Sequence, residues 1–149
     1  MRRLPPPVIT LLGLLAIYGL NLLLPQFRSA SLGGGLAASI FFTIGAGLLV
    51  WSGQAFRKHQ TTVNPLRPER ATSLVTSGPY RFTRNPMYLA MVLFLWSGFT
   101  YVGNWMGVAV VMACLIYFDM VQIAAEEAAM ESNFGEDWTT YTQRVRKWI

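Results

Sequence analysis

Charged residues are scarce in this chain of 149 residues: they form 13% of it, while hydrophobic residues form 53%. A soluble domain carries about twice that charged fraction. Cysteine and histidine occur once each, as Cys114 and His59. One cysteine excludes an internal disulfide framework and a cysteine metal cluster, and Cys114 is interpreted as a small buried apolar residue. With a lone histidine, no metal site is predicted.

What the chain has instead is four apolar runs, each close to the roughly 20 residues that a membrane span requires. They cover residues 8–24, 32–56, 87–102 and 105–123. Pro7 and Pro25 bracket the first run, and Gly103 and Asn104 form a tight turn between the last two. The predicted fold class is all-α: an integral membrane protein with about four transmembrane helices, forming a single domain over residues 1–149.

The N-terminal Arg2 and Arg3 followed by an apolar run resemble a signal peptide. No small-residue cleavage site is clear and further runs follow, so the first run is interpreted as a retained span. The second run is rich in glycine, and small residues let membrane helices approach closely.

Basic residues lie on one side of the predicted spans, with Arg28 as the exception. The positive-inside rule therefore predicts that both termini are cytoplasmic. The net charge of +5 does not indicate nucleic-acid binding, because these residues flank apolar runs and form no continuous basic face. The polar loop 57–86 is also cytoplasmic in this topology, and its length is typical of a functional loop.

The segment after the fourth run is predicted to be a cytoplasmic helical tail, residues 124–149. Its composition favours helix, so we expect the fourth helix to continue past the membrane. Gly135 is a plausible stop, with a final helix starting near Glu136. Helical spacing there places four large residues on one apolar stripe. They are Trp138, Tyr141, Val145 and Trp148.

Charged groups of both signs meet at the predicted cytoplasmic boundary. Arg81 and Arg84 precede the third run, and Glu126 and Glu127 follow the fourth. The simpler interpretations are lipid-headgroup contacts for the arginines and a solvated helix turn for the glutamates. Their common position at one boundary favours a site.

Asp119 is the only acidic residue inside an apolar run, and ionisable groups there are costly enough to suggest function. Asp119, Gln122 and Glu126 are spaced to share one face of an α-helix. Asn85 and Pro86 have the residue types preferred at the N-cap and the first helical position.

Two segments together resemble the isoprenylcysteine carboxyl methyltransferase family and the related phospholipid N-methyltransferases, from about residue 61 onward. They read LVTSGPYRFTRNPMYL and EEAAMESNFGEDWTTYTQRVRKW. The matching pattern comprises an Arg-(His or Asn)-Pro-x-Tyr box, a Glu-Glu pair, a Phe-Gly-x-x-(Tyr or Trp) element, a tyrosine and a basic-Trp ending. Here its positions are Arg84 to Tyr88, Glu126-Glu127, Phe134-Gly135, Trp138, Tyr141 and Arg146 to Trp148.

The resemblance implies S-adenosylmethionine-dependent methyl transfer to a lipophilic acceptor at the cytoplasmic membrane face. The residues expected to be catalytic are Arg81, Arg84 and Glu127. Those expected to bind the cofactor are Asn85, Pro86, Tyr88, Glu126, Glu127, Tyr141, Arg146 and Trp148. In this scheme a glutamate holds the cofactor's amino group or ribose, Arg84 pairs with its carboxylate, and Tyr88 faces the sulfonium.

Two departures bear on the acceptor and the cofactor. The prenylcysteine enzymes have histidine where this chain has Asn85, which favours a phosphatidylethanolamine-type lipid acceptor. Gln60 stands where many relatives have a cofactor-contacting glycine. A rival hypothesis is a non-enzymatic membrane protein whose arginines bind lipid headgroups and whose second span mediates assembly. The sequence leaves the acceptor, the oligomeric state and the general base open, with Asp119 or a glutamate as candidates for the base.

Overall fold

A computed structural model describes residues 4–29, 34–58 and 73–149, and the chain is helical throughout these ranges apart from turns and one isolated β-bridge. The helices are α1 (Pro6–Leu23), α2 (Gly35–Lys58), α3 (Pro86–Val102), α4 (Gly107–Tyr117), a π-helical segment (Phe118–Ile123), α5 (Ala124–Phe134) and α6 (Glu136–Arg144). Short 3-10 turns occupy Pro25–Phe27 and Gly78–Arg81. The prediction at Gln60 lies outside the described residues.

Three helices are long and apolar enough to cross a membrane: Pro6–Leu23, Gly35–Lys58 and the continuous helix Gly107–Phe134. The apolar helix α3 has 17 residues and is shorter than these. The all-helical fold is therefore confirmed for the described residues, and three helices of membrane-spanning length and composition support an integral membrane protein. Four spans and cytoplasmic termini stay predictions.

Proline and glycine set the helix boundaries, as the sequence indicated. Pro86 is the first residue of α3 and Asn85 takes the N-cap position. Gly103 ends α3 with a positive φ of 70°, and this confirms the tight turn into α4. Gly135, with φ 50°, ends α5, and α6 begins at Glu136. Positive φ is cheap for glycine because it has no Cβ.

Side chains from α1, α3 and the fourth helix form the core. Its buried members are Ile17, Tyr88, Met91, Val92, Leu95, Phe99, Val111, Cys114, Phe118 and Ile123. The second helix packs along α3, and at Gly45 a Cβ would come within 3.1 Å of the Ala90 carbonyl oxygen. The expected close approach through small residues is confirmed at this glycine.

The fourth helix continues from Gly107 to Phe134, as predicted, but Phe118–Ile123 is wound as a π-helix. A π-segment widens the turn, and such segments often occur at functional sites. Here it turns Phe118, Gln122 and Ile123 inward, each with no exposed surface. The altered winding also separates Asp119, Gln122 and Glu126, which contact three different parts of the chain instead of acting from one regular face.

The predicted apolar stripe on a single final helix is wrong beyond Tyr141. Helix α6 ends at Arg144, and Val145 is extended with φ −123° and ψ 127°. Trp148 packs back against the core from this extended tail, residues 145–149. The helix ends here because carbonyl groups of the tail bind side chains before α3 instead of continuing the helical ladder.

Candidate functional site

Polar side chains gather at one end of the bundle, where α3 begins and the fourth helix emerges as α5; we call this the polar end. Its members come from the turn before α3, from the π-segment and α5, and from α6 with the tail. The opposite end, at the turn Gly103-Asn104, is the hairpin end.

Arg84 and Glu127 form a partly buried ion pair at the polar end. The guanidinium Nε and Nη2 both donate to Glu127 Oε1, at 2.9 and 2.7 Å. The side chains are 13% and 22% exposed, so solvent screens the pair only in part. Arg84 Nη1 also donates to the carbonyl oxygens of Val145 at 2.8 Å and Thr142 at 3.4 Å. Arg84 therefore joins α5 to the end of α6.

The turn before α3 also binds the tail directly. Thr83 Oγ1 and Asn85 Nδ2 both donate to the Lys147 carbonyl oxygen at 3.1 Å, and the Arg84 N–H donates to the Arg146 carbonyl oxygen at 2.9 Å. The expected N-capping by the Asn85 side chain is wrong, because that amide binds the tail. Asn85 keeps the N-cap position without making the cap bond.

Tyr88 and Glu126 connect α3 to α5 deeper in the polar end. The Tyr88 hydroxyl donates to Glu126 Oε1 in a short hydrogen bond. The Tyr88 ring also packs on Phe118 of the π-segment, with ring centroids 5.4 Å apart. Tyr88 is buried, so the pair is positioned by core packing.

Asp119 anchors the last residues of the tail. Its Oδ1 accepts a hydrogen bond from Trp148 Nε1 at 2.9 Å and lies 3.1 Å from Lys147 Nζ. The acidic residue that stood out within an apolar run is thus partnered from the C-terminus. These partners, Trp148 and Lys147, lie about 30 residues after α4 along the chain. Helical periodicity could not predict contacts over that distance.

Tyr80 and Tyr141 close the side of the polar end next to α2. The Tyr141 hydroxyl donates to the Tyr80 carbonyl oxygen at 2.8 Å, and the Tyr80 ring packs edge-on against Phe56 of α2, with ring centroids 5.4 Å apart. Burial raises the pKa of both phenols above the ordinary value, with Glu126 raising that of Tyr80 further. Both phenols are therefore neutral hydrogen-bonding groups at physiological pH.

The predicted site residues divide into two groups. The structure brings together Arg84, Asn85, Pro86, Tyr88, Glu126, Glu127, Tyr141 and Trp148. Arg81 and Arg146 have exposed side chains, and Arg146 takes part in the polar end through its carbonyl oxygen. Sequence reasoning did not select Gln122, and its placement inward depends on the π-segment, which no sequence period revealed.

A groove of ≈ 510 Å³ lies elsewhere, along the outer face of α2. Its lining comes from this one helix and is largely apolar: Phe42, Thr43, Ala46, Gly47, Val50, Trp51 and Gln54. A groove formed by small residues on the exposed face of an apolar helix suits contact with lipid chains. It offers no group that matches the chemistry of the polar end.

The polar end has hydrogen-bond acceptors and a donor of the kinds that S-adenosylmethionine requires. That cofactor carries an ammonium group and ribose hydroxyls, which need acceptors, and a carboxylate, which needs a donor. Glu126, Glu127 and Asp119 are the acceptors and Arg84 is the donor. The fully buried Gln122 adds an acceptor oxygen, Oε1, that has no partner among the described residues. The residues therefore fit the group.

Comparison with known proteins gives the family of the chain. The family described as phospholipid methyltransferase matches residues 35–137, which include the turn before α3, α3 itself and both glutamates. An uncharacterized protein of Haemophilus influenzae is 38% identical over 66 residues, which make up 42% of this chain and 100% of that relative. No solved structure matches the chain. The chain belongs to the phospholipid methyltransferase family.

Proposed function

We propose that this protein transfers a methyl group from S-adenosylmethionine to a lipophilic acceptor at the cytoplasmic face of a membrane. The observation that carries the proposal is the pairing of Arg84 with Glu127 beside Tyr88 and Glu126, at the end of an apolar helical bundle. Partial burial of charges of both signs at a membrane boundary has a desolvation cost, and such charges are typical of functional sites.

In this proposal the chain's own residues bind and orient. Glu127 and Glu126 would hold the cofactor's ammonium group and ribose, and Arg84, which fixes Glu127, would contribute a positive charge for the carboxylate. Tyr88 would contribute an aromatic ring for cation–π attraction to the sulfonium. When bound, S-adenosylmethionine would supply an electrophilic methyl group. Alignment of the acceptor supplies much of the acceleration, so no protein nucleophile is required.

The rival, a lipid-binding membrane protein without enzymatic activity, fits Arg84 poorly. A headgroup-binding arginine points outward to phosphate, whereas the Arg84 side chain is 13% exposed and binds Glu127 and two carbonyl groups. The exposed Arg81 and Arg146 are better suited to headgroup contact. The acceptor suggested by Asn85, and by the family to which the chain belongs, is a phosphatidylethanolamine-type lipid.

Calorimetric titration of the purified protein with S-adenosylhomocysteine tests the proposal. We expect saturable binding, and we expect Glu127→Gln to weaken it by about 1–3 kcal/mol, since a charged hydrogen bond is lost. Glu131→Gln is the matched control, because Glu131 lies one turn further along α5 and is exposed. Absence of binding to the folded protein would refute the proposal, and equal losses in both variants would show that the site lies elsewhere.

A further inference from the structure

The outer face of α2 carries an apolar groove that ends in basic residues. This groove, which we call the α2 groove, runs from Phe42 to Gln54, about 18 Å along the helix from the rise per residue. Arg57 and Lys58 follow Gln54 by three and four residues, and this spacing places them on the same face one turn further on. Both side chains are exposed. The α2 groove therefore leads directly to two cations.

A third basic residue, Arg81, reaches this end of the α2 groove from the turn before α3. Phe82 is 67% exposed, and its ring packs against Trp51 of the groove with ring centroids 6.3 Å apart. Arg81 directly precedes Phe82, and its side chain is exposed. Aromatic and basic side chains together are typical of the boundary between a membrane and water.

The positive charge at the end of the α2 groove is not balanced by acidic residues of the neighbouring segments. Residues 1–68 and 70–118 contain neither aspartate nor glutamate. The ion pairs among the described residues use Arg84 and Lys147 as their cations, so the three basic residues at the groove lie outside those pairs. Their charge is therefore available to an anion from outside the chain.

We propose that the α2 groove binds an anionic phospholipid, with an acyl chain along the groove and the phosphate headgroup at Arg57, Lys58 and Arg81. The acyl chain matches the groove because the lining is largely apolar and the surface is open. Nothing lies within 4 Å of a Cβ placed at Gly47, in the middle of the groove. The negative headgroup matches the three cations, whereas a zwitterionic lipid matches only the apolar lining.

This lipid site is separate from the site proposed for methyl transfer. Gly45, where α2 packs on α3, lies roughly half a turn around the helix from the centre of the groove. The lipid thus contacts the outside of the bundle, and its binding requires neither the cofactor nor methyl transfer.

Charge also favours a lipid over a second copy of this chain. Oligomers in a membrane are usually symmetric, so two copies paired through the α2 groove would have parallel α2 helices. The cations of both copies, Arg57 and Lys58, would then meet at one end of the interface. Like charges placed together disfavour such a complex, whereas an anionic headgroup neutralises them.

Native mass spectrometry of the detergent-solubilised protein tests the headgroup contact. Phosphatidylglycerol is the anionic probe, and phosphatidylcholine with the same acyl chains is the neutral one. We expect phosphatidylglycerol to bind at least about tenfold more tightly, since each nearby cation contributes about fivefold. The double variant Arg57→Gln, Lys58→Gln should lose most of this preference and keep its affinity for phosphatidylcholine. Arg28→Gln is the matched control, because Arg28 is exposed at the hairpin end, and it should change neither affinity.

A second pair of variants tests the acyl-chain contact. Gly47→Leu fills the open middle of the α2 groove and should weaken the binding of both lipids by about fivefold, because about ten atom contacts with the chain are lost. Gly19→Leu is the matched control: Gly19 lies in α1, and a Cβ there also meets nothing within 4 Å. This variant should bind both lipids as the wild type does.

Four results would overturn the inference. They are equal affinity of the wild type for the two lipids, an equal loss of preference in Arg28→Gln, unchanged lipid binding in Gly47→Leu, and an equal loss in Gly19→Leu. A dimer of the chain that Gly47→Leu dissociates, with lipid binding unchanged, would assign the α2 groove to a second copy. All of these measurements are made without cofactor, so they are independent of the outcome for methyl transfer.

Discussion

Asn104 at the hairpin end and Gln122 at the polar end are both completely buried amides, and each donates to a backbone carbonyl next to an end of α1. Asn104 Nδ2 binds the Leu24 carbonyl oxygen at 2.9 Å, and its Oδ1 accepts the Met106 N–H at 3.0 Å. Gln122 Oε1 has no such partner among the described residues. The hairpin end is thus closed by internal hydrogen bonds, while the polar end leaves one buried acceptor oxygen unpaired among the described residues.

The polar end also differs in how its segments are joined. At the hairpin end the Asn104 amide binds the Leu24 carbonyl oxygen, and further joining bonds run between backbone groups, as between Trp105 N–H and the Phe27 carbonyl oxygen at 3.1 Å. At the polar end, side chains of Arg84 and Asn85 bind carbonyl groups of the tail, and Asp119 binds Trp148. Such an end depends on a few side chains, so single substitutions there should have the larger effects.

Arg84→Ala should therefore break the polar end and produce the largest loss of stability. It leaves the Glu127 carboxylate, 22% exposed, without its ion-pair partner and removes the bonds to Val145 and Thr142. Removing one partner of a buried pair costs about 3–5 kcal/mol, and partial exposure lowers the expected value to about 2–4 kcal/mol. Thermal unfolding gives the loss, and carboxypeptidase digestion should reach the released tail faster.

Arg81→Ala is the control for this prediction, because Arg81 is exposed on the adjacent turn. An exposed substitution should change stability by no more than about 0.5 kcal/mol. Equal losses in the two variants would mean that the Arg84 contacts do not join α5 to the tail.

Asn104→Leu should break the hairpin end with a smaller effect, about 1–3 kcal/mol, because the partly buried Met106 N–H loses its acceptor. The melting temperature should fall by roughly 2–4 °C for each kcal/mol.

Gln122→Met is the matched change at the polar end. We expect its effect on stability to be close to neutral, since it removes an unpaired oxygen along with one hydrogen bond. A loss as large as that of Asn104→Leu would show that Oε1 is satisfied in the folded protein.

The sequence predicted those parts of the fold that local chemistry determines. Proline and glycine marked where α3 begins and where α3 and α5 end. Composition predicted that the fourth helix continues beyond the end of its apolar run. It also predicted that Arg84 and Tyr88 would lie near the two glutamates, through the resemblance of the motifs.

Long-range geometry could not be predicted in the same way. The Asn85 amide binds a carbonyl group 62 residues away, which a local N-cap preference cannot reveal. The π-segment shifts the inward face by part of a turn, and the α-helical period that placed Asp119, Gln122 and Glu126 on one face could not reveal that shift. Val145 leaves the helix because the Arg84 guanidinium binds its carbonyl oxygen, and the apolar spacing of the tail alone favoured a continuing helix.

The two phenols at the polar end allow the comparison to be tested by pH alone. Burial holds the folded-state pKa of Tyr80 and Tyr141 above the unfolded value of about 10. The stability this gives is complete below pH 10 and is lost as pH rises above it, because the unfolded chain then releases protons that the folded chain keeps. Each phenol should reduce the folding constant by up to about tenfold per pH unit in that range.

Melting temperatures of wild type, Tyr80→Phe and Tyr141→Phe between pH 9 and 11.5 give the slope of melting temperature against pH. This slope should be shallower in each variant, whatever its stability at neutral pH. Tyr101, exposed at the hairpin end, provides the control, and Tyr101→Phe should leave the slope unchanged. If it flattened the slope as much as Tyr80→Phe, alkaline sensitivity would not belong to the polar end.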